Sequence, residues 1–166
     1  MKHLADLLLL GDPRLYETCE PVLESELPLV ADWVADLHHV MEEIRAKYQF
    51  GRGIAAPQLG IMKRLIYLNV DQPQVIINPE LIGLSDDMGE LWDDCMSFPN
   101  LLVRVRRHRN LTMLYRDEQW QSHTWEVRDW ALSELIQHEY DHLNGVLCTM
   151  RAIDEQAFRW RPTPNP

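Results

Sequence analysis

The segment His138-Glu139-Tyr140-Asp141-His142 constrains this chain more than any other. On a helix two histidines four residues apart lie on one face, one turn apart, so both rings can converge on one ion. The flanking residues agree with a helix from about Trp130 to Leu143. Leu135, Ile136 and Leu143 supply an apolar side, Asp129 stands where an N-cap is wanted, and Asn144-Gly145 supplies the stop. His138 and His142 are thus candidate metal ligands. Glu139, beside the first of them, is placed to take a proton from an activated water.

The rest of the chain fits a small soluble enzyme. Its 166 residues are one domain's worth, expected over residues 1–160, with the proline-rich end at 161–166 read as a disordered tail. Sixteen Lys and Arg stand against 26 Asp and Glu, a net charge of −10. That is the opposite of what phosphate contacts ask of a free-standing nucleic-acid binder. No apolar run approaches the ~20 residues that span a bilayer. The first residues hold a short leucine run, but Asp6 interrupts it and no small-residue cleavage site follows, so they read as mature protein. Cys19, Cys95 and Cys148 are odd in number and widely spaced, which points to a reducing, cytoplasmic setting.

Along the chain, Val30, Trp33, Leu37, Val40, Met41, Ile44 and Tyr48 recur at helical spacing. They predict an amphipathic helix that starts near Ser25 or Glu26 and ends at Phe50-Gly51-Arg52-Gly53. Short strands are predicted at Leu65–Val70, Gln74–Asn78, Leu101–Val105, Leu111–Tyr115 and His123–Val127. A helix, many strands and a second helix make an α+β fold with mostly antiparallel sheet rather than a βαβ alternation.

Two histidines need a third protein ligand. Asp154 and Glu155 lie beyond a helix end and no histidine follows His142, so Cys95 in Asp93-Asp94-Cys95-Met96-Ser97 is the better candidate. A thiolate with two imidazoles suits Fe²⁺, Zn²⁺, Co²⁺ or Ni²⁺. Cys19 and Cys148 have no polar sequence context and read as small buried hydrophobes. Gly51-Arg52-Gly53-Ile54-Ala55-Ala56-Pro57-Gln58 keeps most of its side chains small, which lets a substrate backbone come close. Gln58 adds a neutral amide donor for a developing oxyanion.

These three segments, in this order, resemble the signatures of the peptide deformylase family, G-x-G-x-A-A-x-Q, E-G-C-L-S and H-E-x-D-H. The likeness extends through Gly11-Asp12-Pro13-Arg14-Leu15, Ile77-Asn78-Pro79 and His142-Leu143-Asn144-Gly145, and covers about residues 8–155. The resemblance implies a mononuclear site with Cys95, His138 and His142 as ligands and Fe²⁺ as the physiological ion. It implies Glu139 as general base and acid, and Gln58 with the Met96 backbone N–H as oxyanion donors. The substrate-binding residues would be Gly51, Arg52, Gly53, Ile54 and Asp94. The implied reaction hydrolyses the formyl group from the initiator formyl-methionine of a new polypeptide and releases formate. The implied partners are that nascent polypeptide or peptide and, transiently, the ribosome, with no stable nucleic acid and no membrane. Two other readings fit the same motifs: a hydrolase of a different formyl-amide or small peptide, and a peptide-binding relative. A pure binder needs neither a base nor an open metal position.

The chain departs from that pattern at Asp93, Asp94 and Met96, where the family has Glu, Gly and Leu, and at Arg52, where an aliphatic residue is common. Either Arg52 and Asp94 charge the cleft walls, or they form a solvent-facing pair worth under ~1 kcal/mol. Both readings put the methionine pocket in question and leave the hydrolytic centre intact. Finally, Asn100–Arg109 is rich in Arg and His. Docking to ribosomal RNA is one reading. The alternation of Val103 and Val105 with Arg104 and Arg106 favours the other, an edge strand with outward charges.

Overall fold

The computed structural model describes residues 1–162. Two helices and eight strands carry the architecture. They are α1 (Leu27–Tyr48), β1 (Gly53–Ala55), β2 (Leu65–Asn69), β3 (Pro73–Leu84) and β4 (Met88–Asp94), then β5 (Leu101–His108), β6 (Leu111–Arg116), β7 (Ser122–Val127), α2 (Trp130–Leu143) and β8 (Phe158–Trp160). One antiparallel sheet has the order β1-β2-β3-β6-β7, and a smaller one the order β4-β5-β8. The α+β class read from the sequence is what forms.

Both helices stand where local patterning put them. In α1, Val30, Leu37, Val40, Met41 and Ile44 are buried, Pro28 sits in the first turn, and Gln49 closes the end in left-handed conformation. The Asp129 side chain accepts a hydrogen bond from the Leu132 N–H and starts α2. Ten of the fourteen residues of α2 are buried, among them His138, Glu139 and His142, so this helix is the centre of the molecule rather than a surface element. Beyond it, Gly145 takes φ +68°, and a Cβ there would meet the Tyr16 carbonyl oxygen at 2.4 Å. Only glycine lets the N-terminal segment pass so close to the end of α2.

Several strand expectations are corrected. The strand that was expected to stop at Asn78 continues as β3 to Leu84, with an irregular register between Ile77 and Glu80. Asn78 turns left-handed there, and its amide clamps the main chain of Val22 by two 2.8 Å bonds. Asn-Pro forms a bulge where a strand end was read. Strands β4 and β8 were missed because they lack a clean apolar alternation. The basic segment forms β5, but β5 is the middle strand of its sheet and not an edge. Arg104 and Arg106 share Glu90, while Arg107 points inward and is buried. Arg161, where the tail was expected to begin, is fixed by the Pro99 carbonyl and Asp94. Residues 163–166 of that expected tail lie outside the described residues.

Candidate metal centre

Cys95 follows directly on β4, and His138 and His142 project one turn apart from α2. Their donor atoms all lie within 4.8 Å of one another, and all three residues are buried. Cys95 Sγ is 3.3 Å from His142 Nε2, which is 3.2 Å from His138 Nε2. Ligands bonded to a tetrahedral ion at about 2.0–2.3 Å stand roughly 3.3–3.6 Å apart, so these donors are already spaced as a coordination sphere. The set of one thiolate and two imidazoles fits a divalent transition metal.

The surrounding charges prepare the set. His138 Nδ1 lies 2.9 Å from Asp93 Oδ1, off the ring's N–H direction but well within Coulomb reach. His138 Nε2 is turned towards the other donors. Burial opposes a proton on both rings. At His142 nothing reverses this, and its pKa falls well below the imidazole range. At His138 the Asp93 carboxylate outweighs burial and raises it. Asp93 pays the cost of burial but is held below the usual carboxylate range by His138 and Arg107. Arg107 donates to Asp93 Oδ2 at 2.8 Å and to Asp141 Oδ2 at 2.8 Å, and Arg151 grips Asp141 by two 2.6 Å bonds.

Sequence reading missed this Asp93–Arg107–Asp141 network. The signal was present in the strand phase, since Arg107 follows Val103 and Val105 on the inward side of β5. Cys148, expected to be without polar surroundings, also has its sulfur within 4.8 Å of a His138 nitrogen and an Asp93 oxygen. Burial first, then the Asp93 charge, pushes its thiol well up.

A cleft of about 280 Å³ opens in front of His138 and Glu139. Glu139 is buried, its Oε2 has no protein partner, and burial pushes its pKa up to about 7. Gly53 makes room for it, because a Cβ there would meet Glu139 Oε1 at 2.9 Å and Leu68 at 2.8 Å. That glycine therefore serves the packing of Glu139, a tighter constraint than the substrate approach read from the sequence. Gln58 is oriented by the Ala55 N–H on its Oε1, and its Nε2 donates to Ser97 Oγ at 3.2 Å and lies 3.6 Å from Cys95 Sγ. Met96 and Gly51 line the cleft, and so do Arg52 and Asp94. The Ile54 side chain does not, being wholly buried in the core beneath α1. Nor do Arg52 and Asp94 pair with each other. Arg52 bonds Glu134 and the Ala131 carbonyl, while Asp94 accepts from Arg161 at 2.5 Å. Among the described residues no helix is long and apolar enough to cross a membrane.

A buried Cys-His-His ion site with a glutamate beside it, on the central helix of an antiparallel α+β fold, defines a metal-dependent hydrolase. Comparison with known proteins narrows the class. A sequence model of polypeptide deformylase matches residues 4–158. The chain is 32% identical over 164 residues to a peptide deformylase of Leptospira biflexa, covering 92% of this chain and 89% of that protein. Its fold is similar to the crystal structure of peptide deformylase from Thermotoga maritima. There the TM-score is 0.78 and the identity 28%, over 89% of this chain and 97% of that one. It is also similar to a Met-Ala-Ser-bound class I type b peptide deformylase from Acinetobacter baumannii. That match has TM-score 0.75 and 27% identity, over 87% and 96% of the two chains. The chain belongs to the polypeptide deformylase family.

Proposed function

We propose that the chain removes the formyl group from the N-terminal formyl-methionine of new polypeptides at the cleft beside Glu139, with Cys95, His138 and His142 holding one Fe²⁺ per chain. Zn²⁺, Ni²⁺ and Co²⁺ suit the same donors. The observation that carries the reading is the convergence of three buried donors within 4.8 Å of one another, next to a buried carboxylate with a free oxygen. When bound, the divalent ion supplies Lewis acidity, which makes water acidic near neutral pH.

Glu139 takes the proton that attack on the formyl carbon releases and returns it to the leaving amine. A carboxyl pushed up to about 7 by burial is poised for both transfers at neutral pH. Gln58 Nε2 and the Met96 N–H face the charge that develops on the formyl oxygen. The Ala55 N–H fixes the Gln58 amide so that its NH₂ points towards Cys95 rather than away. Asp93 acts on the His138 ring through its charge, 2.9 Å from Nδ1, and Arg107 holds Asp93. Gly51, Arg52, Gly53 and Asp94 border the peptide, with Ile54 contributing only main chain. The chain works in the cytoplasm and meets its substrate transiently at the ribosome. The test is formate release from formyl-Met-Ala by protein loaded anaerobically with Fe²⁺. Steady release supports the reading, and none under any metal overturns it.

A further inference from the structure

A second group of metal-ligand side chains meets on α1, and none of its three members lines the cleft. His39 and Glu43 are four residues apart on that helix and so share one face. His3 joins them from the N-terminal segment, just before the short turn Leu4–Asp6. His3 Nδ1 lies 3.1 Å from His39 Nε2 and 3.5 Å from Glu43 Oε1, and His39 Nε2 lies 3.7 Å from the same oxygen. Hydrogen bonds from N–H to oxygen run about 2.7–3.2 Å, so both histidine–carboxylate distances are too long for a tight triad. Donors about 2.0–2.2 Å from a tetrahedral ion stand roughly 3.3–3.6 Å apart, and the three spacings bracket that range.

We propose that His3, His39 and Glu43 form a second cation site, of the zinc class, that fastens the N-terminal segment to α1. Two imidazoles and one carboxylate suit Zn²⁺ and do not suit Mg²⁺ or Ca²⁺, which ask for oxygen throughout. The donors are held in place before any ion arrives. Glu43 Oε2 accepts from the Leu4 N–H at 2.5 Å, which turns Oε1 to the two rings. The His3 N–H donates to Asp6 Oδ2 at 2.8 Å and fixes that residue's main chain. The His3 side chain is 58% exposed and those of His39 and Glu43 about a third, so an ion enters from solvent and water completes its coordination. Lacking a thiolate and burial, the site fills only after the Cys95 centre and gives up its ion on gel filtration. The clipped segment runs on to brace the cleft from behind. The Leu8 N–H donates to the Gln58 carbonyl at 2.8 Å and the Leu10 N–H to the Ser97 carbonyl at 3.0 Å.

The experiment takes protein already carrying one Zn²⁺ at the Cys95 centre and titrates it with further Zn²⁺ by calorimetry, with Mg²⁺ as the control ion. One further Zn²⁺ per chain is expected, and no Mg²⁺. His39→Ala and Glu43→Gln, both on the helix surface, should each weaken that second binding at least tenfold. Excess Zn²⁺ should raise Tm of the loaded protein, because a ligand of the folded state alone stabilises it, and the rise should vanish in His39→Ala. Absence of a second ion overturns the proposal. So does a second ion held equally well by His39→Ala and Glu43→Gln. Binding lost in His3→Ala alone also overturns it, since the ion would then sit on the first residues of the chain without α1.

Discussion

Glu139 is held under two opposing demands. The proposed reaction wants a carboxylate, while burial wants a neutral acid and pushes the group from the usual carboxylate range up to about 7. A group whose folded pKa lies above its unfolded value stabilises the fold fully below the unfolded pKa, near 4.3, and loses that contribution as pH rises through about 7. In the metal-free protein Glu139→Gln should therefore raise stability at pH 8 by about 3 kcal/mol, with no gain at pH 4, as read by denaturant unfolding at the two pH values. An equal effect at both would mean that Glu139 is not buried as a reluctant acid. Cysteines separate in the same way. Cys95→Ala should remove the ion, while Cys148→Ala, although that sulfur lies near Asp93 and His138, should keep one ion per chain by elemental analysis. Stoichiometric metal in Cys95→Ala would displace that residue from the ligand set.

At the scale of elements, β5 and α2 are joined through a buried ion network rather than through apolar contact alone. Arg107 of β5 bridges Asp93 of β4 and Asp141 of α2. Arg107→Met would leave two buried carboxylates short of a partner. It should cost about 3–5 kcal/mol by chemical denaturation. Metal affinity should fall about 10–100-fold by competition with a chelator, because Asp93 then orients His138 poorly. A variant with unchanged affinity would show that the network supports the fold without tuning the ion. This network also marks where the sequence reading stopped short, although the phase of β5 pointed Arg107 inward. Helices α1 and α2 were legible because their caps and apolar spacing are local. The meeting of Cys95, His138 and His142, with Glu139 and Gln58 at the same cleft, was legible because each residue stands in a short pattern with its own chemistry. The partners of Arg52 and Asp94 were misjudged because ion pairs are chosen in space. Arg52 finds Glu134, 82 residues on, and Asp94 finds Arg161, 67 residues on. The bulge at Asn78-Pro79 was read as an end because residues that terminate strands also kink them.

For the whole molecule, an ion held by Cys95, His138 and His142 would tie the small sheet to the central helix. Cys95 follows directly on β4, whereas both histidines belong to α2, which packs against β1 and β2 of the larger sheet. A ligand that binds only the folded state stabilises it by RT ln(1 + [L]/Kd), about 4 kcal/mol at a thousandfold excess over Kd. Metal removal should therefore lower Tm by several degrees and restoration should recover it, with the shift absent in Cys95→Ala. An apo protein melting at the temperature of the loaded one would argue that no ion joins these elements. The most direct single measurement titrates apo protein anaerobically with Fe²⁺ and records formate release from formyl-peptide against ion added, for the unmodified chain and for Glu139→Ala. The structure predicts a rate that rises linearly and breaks at one ion per chain. Glu139→Ala should bind the same single ion with turnover lowered at least 10²-fold. Formate release that continues undiminished in Glu139→Ala, or that is independent of the ion, would contradict hydrolysis at the Cys95, His138 and His142 centre.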